Sequence, residues 1–448
     1  MTVPLQVVMC AVIAFPRAWD TVATAQVDAR VAAIRAAGDP VTLAEVGERI
    51  PTPPPGKNAA ELYNAAFKQM EALEELLDAI DDHVPIIGLA VLPDRYGPVP
   101  PAMLQAATLY LESARQVFVH LDKATDLEHC KHDLDLTRGI ALELPHVGLA
   151  RQAARLYALQ AMVHTDHGRA ERAADALVQA FRVGDALRHE PILVCVFTRH
   201  GCYHVALRQL ERTLSRTVLS DPALRLLGDR LRAAADPNAL VSAMVAERCF
   251  GMDFYRRWVL AAEDDELLRA MGVQDHITHL RRLFAGGGLK LDMVAYIDAM
   301  DAYVEALRKP YPQSLIEGAR LADALAERLP RYPFIAKLFL DGIGNVSAAQ
   351  QKHMARCDSA RVALACLRYR AKTGDLPETL QALVPDFLDA VPPDPYTGKA
   401  LLYHKDAAGF VVYARGQNQK DDRRDTEPRD DRDYPDVGFQ VRWTKAKF

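Results

Sequence analysis

Apolar residues recur at helical spacing along most of this chain, and the period changes only near its end. From Asp20 to Pro40 alanines and valines repeat every three or four positions until Gly38 and Pro40 stop the run, as in an amphipathic helix with a C-terminal stop signal. "VTLAEV" predicts a short turn of helix, and Pro51, Pro53, Pro54 and Pro55 stiffen an extended connection. Asn58 is placed to cap a helix that starts at Ala59 and continues through "AAELYNAAFKQMEALEELLDAI". "VPIIGLAVLPDRYGPVPP" holds too much Pro and Gly for a helix and predicts a long ordered loop. From Ala102 to about Leu307 helix follows helix. The clearest pair is an αα-hairpin. Leu149, Ala153, Leu156, Leu159 and Val163 form one stripe, Gly168 makes the turn, and Ala173, Leu177, Ala180 and Phe181 face back.

The last hundred or so residues read differently. Ala360, Ala363, Leu364, Leu367 and Ala371 line a helix that Gly374 ends. "LPETLQALVP" predicts a short helix with Pro377 in its first turn and Pro385 closing it. "PPDPYTG" is a turn cluster, "ALLYH" and "FVVYAR" form a hairpin around "KDAAG", and "GFQVRW" is a third strand beyond a charged loop from Gly416 to Pro435. The pattern predicts a mainly α protein, an irregular array of α-hairpins, ending in a small α+β module with a three-stranded antiparallel sheet. Its segments are an apolar stretch at 1–20, a helical domain at 21–350 and the module at 355–448.

Composition narrows the function. At 448 residues, half of them apolar and a quarter charged, the chain can bury a large core. A formal charge of −5 spread along the chain offers no basic face for a phosphate backbone, which argues against nucleic acid as a partner. The seven cysteines contain no CxxC and predict buried apolar side chains, not a disulfide framework. "VPLQVVMCAVIAF" is shorter than the roughly 20 apolar residues of a spanning helix and lacks a basic start. It reads as a first buried helix, a weak signal or anchor, or the remnant of one, so membrane association through this segment stays open.

Three resemblances add to this. The helical hairpin at 147–190 resembles a single tetratricopeptide repeat. The last 95 or so residues resemble the C-terminal region of the major pseudopilin of type II secretion systems, through Gly374, Leu376 and Pro377, then Asp394, Pro395, Gly398 and Tyr403, then Tyr413, Gly416 and Asn418, then Asp436 and Val437. That family's N-terminal methylation motif and hydrophobic helix do not precede the module, which argues against a filament-forming role. The whole chain resembles a set of large planctomycete-type bacterial proteins. They share Gly38, Pro40, Thr42, Leu43 and Glu45, and Pro53 to Pro55, Asn58, Ala59 and Ala60. The pseudopilin resemblance implies a calcium ion in the acidic loop, with Asp421, Asp422, Asp433 and Asp436 as ligands; Arg423 and Arg424 stand where the family has glycines, and Asn418 where it has an aspartate.

Other chemistry is sparse. "EHCKHD" brings Glu128, His129, Cys130, His132 and Asp133 together, and "CVFTRHGCYH" brings Cys195, His200, Cys202 and His204. Both hold zinc-type ligands without a complete set, and both read equally as core and helix-surface residues. "EDDELL" at 263–268 reads as a solvated helix start, and "FAGGGLKLD" lacks the spacing of a phosphate loop. HExxH, GxSxG and GxGxxG are absent. The expectation is a non-enzymatic, envelope-associated scaffold or interaction protein with a protein partner, in the cell envelope or periplasm in preference to the cytoplasm. A metal-dependent hydrolase using the histidine and cysteine groups is one alternative, and an accessory subunit of a type II secretion-like system is another.

Overall fold

The computed structural model describes residues 5–92, 94–261, 268–269, 272, 274–283, 287–328, 334–423 and 436–443. The chain is mainly α, with a small three-stranded antiparallel sheet at its C-terminal end. α1 (Leu5–Ala36) is followed by α2 (Leu43–Glu48), α3 (Ala60–Glu71), α4 (Glu74–Asp78), α5 (Pro101–Ser113) and α6 (Arg115–Thr125). α7 (Pro145–Asp166) and α8 (Ala170–Asp185) form the expected hairpin, with Gly168 at φ +70° in the turn. Then come α9 (Leu193–Arg216), α10 (Asp221–Ala234) and α11 (Ala239–Phe254), which runs on as a π-helical turn over Tyr255–Leu260. α12 (Gln274–Leu283), α13 (Gly287–Leu307), α14 (Gln313–Arg328), α15 (Phe334–Leu340) and α16 (Ile343–Thr373) complete the helices.

The buried apolar residues fall into two clusters. One joins α2, α3 and α5 to α10 with the C-terminal half of α16 and the sheet. The other gathers the end of α1, α11 and α13 to α15. α16 crosses both: Ile343, Val346 and Met354 belong to the second cluster, and Ala355 to Cys366 contribute to the first. At about 1.5 Å per residue this unbroken helix is long enough to contribute to both cores. The expected break between helical domain and module at 350–355 therefore falls inside α16, where the helix passes from one core to the other.

β1 (Leu402–Asp406), β2 (Gly409–Ala414) and β3 (Val437–Arg442) pair in that order. β2 is central and buried throughout, and β3 alternates buried and half-buried residues, because α16 covers one face. The outer edge of β3 does not face water. The Gln440 N–H donates to Glu211 Oε1 at 2.9 Å and the Arg442 N–H to Ser215 Oγ at 3.0 Å, both on α9. Two helix side chains thus stand in for a fourth strand and remove an edge that would otherwise template pairing.

Several local expectations are corrected. The helix expected from Ala59 to Ile80 starts at Ala60 and breaks after Glu71. Asn58 does accept the Ala60 N–H, but its amide also exchanges bonds with both main-chain groups of Lys131, at 2.9 Å each. "LPETLQALVP" forms only a 3₁₀ turn at Leu380–Leu383. Ala371 is exposed, because α16 has by then passed the edge of the core, and Leu149 is only half-buried. "EDDELL" lies outside the described residues up to Leu268, as does Gly286 of the glycine run, while Gly287 and Gly288 open α13. Lys290 is tied to α1 through Asp20 and Thr24, at 2.8 Å each, and is not a phosphate-loop lysine. α1 also pairs Arg30 with Asp298 of α13. Among the described residues no helix is long and apolar enough to cross a membrane.

Candidate metal centre

Residues 129–132 run extended because Asn58 acts as a short strand beside them: the Ala59 N–H donates to the His129 carbonyl, and the Asn58 amide brackets Lys131. Side chains on an extended segment alternate. Cys130 and His132 accordingly point inward, while His129 and Lys131 stay partly exposed. His146 enters from the first turn of α7, just after the helix-opening Pro145. Glu190 comes from the turn between α8 and α9, where Pro191 ends the run, and Cys195 from the first turn of α9.

These groups meet in the interior. His132 Nδ1 lies 2.8 Å from Glu190 Oε1, and His146 Nε2 lies 2.8 Å from Glu190 Oε2. The two imidazoles stack with centroids 4.0 Å apart. The Cys195 thiol donates to Glu190 Oε2 at 3.1 Å, and Cys130 Sγ sits 4.0 Å from His132 Nδ1. Burial pushes the Glu190 carboxyl up, but the bonds from His132 and His146 overcome it and hold the group at about 2. Burial beside this carboxylate drives both thiols the other way, Cys130 to about 12 and Cys195 strongly upward. Among the described residues this is the only set of three or more His, Cys, Asp or Glu side chains whose ligand atoms converge, all lying within 4.8 Å of one another for His132, His146 and Glu190. Two cavities border it. One of about 510 Å³ is lined by Glu190, Arg49, Arg188, Arg199, Asp236 and Arg308, and one of about 300 Å³ by Cys130, Arg182, Asp185, Arg188 and Arg230.

Both sequence groups thus contribute, and both come apart. Cys130 and His132 reach the centre, but Glu128, His129 and Asp133 do not. Of the second group only Cys195 arrives. Cys202 donates to the Ala150 carbonyl. His200 stacks on His353 of α16 at 3.9 Å, and His204 lies against the Arg356 guanidinium, Nδ1 2.7 Å from Nη1. His146 and Glu190 escaped the sequence reading. The only trace of His146 was its place on the inward side of a helix start, and a lone glutamate before a proline carries no signal at all.

The histidine cluster on α9 and α16 has a pH consequence. Desolvation holds His353 down at about 4 and His204 at about 3, and depresses His200 well below the ordinary 6.5. The groups that face them are cationic or neutral: Arg199 and Arg356, with Tyr203 and Cys357 alongside. The unfolded chain takes up these protons near 6.5 while the folded chain refuses them, so the stabilisation is complete above that value and is lost as pH falls toward 4. A loss of roughly 1–2 kcal/mol from His353 is expected at pH 5. Thermal melts of His353→Gln, which keeps a donor for the Ala234 carbonyl, should show a flatter profile between pH 6.5 and 4 than the parent. Parallel profiles would remove the histidine from the account.

The acidic loop is partly visible. Asp433 lies outside the described residues. Asp421 accepts from the Tyr413 hydroxyl and the Arg423 N–H, Asp422 from the Asn418 amide, and buried Asp436 from the Asp422 N–H. These three carboxylates fasten the loop to the end of β2 and the start of β3.

No protein-family model, curated protein or solved structure matches this chain.

Proposed function

We propose that this chain is a non-enzymatic helical scaffold that binds a protein partner, envelope-associated, with its C-terminal helix and sheet as a docking end. The observation that carries the reading is where the buried polar groups are spent. On α9, Arg212 donates to the Arg95 and Gly97 carbonyls and to Asp166, Glu211 binds Arg95 and the Gln440 N–H, and Ser215 takes the Arg442 N–H. Each joins α9 to a segment far off in sequence. Chemistry of this kind fixes shape: these groups on α9 are held in structural bonds and are not free to act as acid, base or nucleophile. Exposed apolar residues, Leu89 and Val91 on the loop before α5, Leu109 on α5 and Val119 on α6, supply contact area. The order of helix, turn, hairpin and strand supports the pseudopilin-like part, whereas among the described residues Asp421, Asp422 and Asp436 do not converge as a calcium site would need.

The hydrolase reading keeps one specific support: Glu190 borders a cavity of about 510 Å³ lined by arginines. Crosslinking in the host cell followed by mass spectrometry separates the two. A scaffold gives one recurrent protein partner, with crosslinks that disappear when Leu109 and Val119 become Glu. Purified chain that turns over ester or phosphoester reporters, and loses this with His146→Gln, would replace the scaffold by the hydrolase.

A further inference from the structure

We propose that His132, His146, Glu190 and Cys195 are the ligands of a divalent transition-metal cation of the zinc class. The inference goes beyond the scaffold reading and stands independently of it.

Three arguments lead there. The first is geometric. Zinc takes four ligands at about 2.0–2.3 Å, so its ligand atoms must crowd one small volume. Two imidazole nitrogens and a carboxylate already do, within 4.8 Å of one another, although they come from three separate segments. Cys195 Sγ lies 3.1 Å from Glu190 Oε2, just outside that converging set, and a turn of its side chain on α9 would bring it in as the fourth.

The second is charge. Glu190 is buried as a carboxylate, and among the described residues no Lys or Arg pairs with it. Two imidazoles are its only ion partners, and His132 Nε2 finds no hydrogen-bond partner. The three hydrogen-bond partners of the Glu190 carboxylate are two imidazoles and a thiol, none a permanent cation, and a buried carboxylate without one leaves room for a bound cation. A dication bound to one carboxylate and one thiolate is neutral overall. On binding, the metal replaces the Cys195 thiol proton and any proton held between Glu190 and the imidazoles; these pass to solvent and nothing is oxidised or reduced.

The third is ligand type. Imidazole and thiolate suit zinc and its neighbours, whereas calcium and magnesium need oxygen donors in larger number. With His132, His146 and Glu190 all less than a tenth exposed and four protein ligands, the site is closed, as in zinc centres that hold a fold together. It pins the 129–132 segment, the start of α7 and the α8–α9 turn at one point.

The test uses the full chain, purified without a histidine tag. Metal analysis should find a single zinc per chain, retained on dialysis. Cobalt put in its place should give the intense visible bands of a tetrahedral site and a near-ultraviolet thiolate charge-transfer band. Cys195→Ser should remove the charge-transfer band, whereas Cys130→Ser and His204→Gln should leave it. His146→Gln and Glu190→Gln should lose the metal. Should these variants fail to fold, the parent decides alone: a strong chelator should lower its melting temperature, and zinc should restore it. A parent that retains no zinc and melts unchanged with chelator overturns the proposal, as does a charge-transfer band that depends on Cys130. Either result leaves the partner crosslinks of the scaffold reading untouched, so the two ideas fail separately.

Discussion

Arg212→Met is expected to destabilise the protein by about 3–5 kcal/mol, because it leaves a buried hydrogen-bonded network without its cation. The Arg212 side chain is 2 % exposed. Its Nη1 donates to the Arg95 carbonyl at 2.9 Å, and its Nη2 to the Gly97 carbonyl at 2.5 Å and to Asp166 Oδ2 at 3.0 Å. Methionine keeps most of the apolar stem, so the change isolates the loss of donors from the loss of packing. Asp166 would keep Arg216 at 3.1 Å and the Val99 N–H at 2.9 Å. Of the loop before α5, the Tyr96 carbonyl would keep Arg216 Nη1 at 3.4 Å, while the Arg95 and Gly97 carbonyls would lose the Arg212 bonds. That loop carries Arg95 to Glu211, and Glu211 holds the edge of β3. The effect should therefore spread from the loop to the sheet. Urea unfolding followed by helical circular dichroism measures the total, and amide exchange reads the spread as faster exchange at residues 95–99 and 437–442. A midpoint shift worth under about 1 kcal/mol, with exchange unchanged at both places, would show that α9 is not the hub described above.

The same helix shows why part of the molecule was legible in sequence and part was not. The α7–α8 hairpin announces itself because each helix buries one stripe against its neighbour, and the stripe repeats at helical period. The strands do so as short runs rich in β-branched and aromatic residues bounded by turn residues, with β3 alternating and central β2 apolar throughout. α9 offers no such pattern. Arg199, Gln209, Glu211, Arg212, Thr213 and Ser215 are all buried, and a polar residue on a helix reads as solvated face unless its partner is known. Those partners lie far off: Arg95 is 116 residues before Glu211, and Gln440 is 229 after it. The candidate centre follows the same rule. Ligand chemistry marked Cys130, His132 and Cys195, but convergence with His146 and Glu190 is a product of long-range packing, which no local spacing encodes. The change of period from helix to strand beyond Gly374 was legible, whereas the continuity of α16 through residues 350–355 was not, because the helix changes cores without changing its own backbone.

Asp394→Ala is expected to loosen the C-terminal sheet at a cost of about 3 kcal/mol, since hydrogen bonds to a charged acceptor contribute about 1.5–3 kcal/mol each and several converge here. Asp394 is fully buried at 0 % exposure. Its Oδ1 accepts from the Tyr396 N–H at 2.9 Å, which shapes the "DPYTG" turn, and its Oδ2 from the Arg415 N–H at 3.1 Å, with Arg415 Nη1 at 3.4 Å. One carboxylate therefore ties the turn before β1 to the residue just after β2. Two further bonds hold the turn to the body: Gln351 of α16 donates to the Pro395 carbonyl at 3.2 Å, and the Tyr311 hydroxyl to the Pro393 carbonyl at 3.1 Å. Those bonds should survive the substitution, so the turn stays docked while the hairpin loses its register with it. Amide exchange should rise over residues 396–415 and much less over α16. Asp394→Asn, which keeps an acceptor for Tyr396 but weakens the pull on Arg415, should fall between parent and alanine variant. If instead α16 exchanged as fast as the hairpin, helix and sheet would unfold as one cooperative unit, and the docking end proposed for this chain could not act apart from its body.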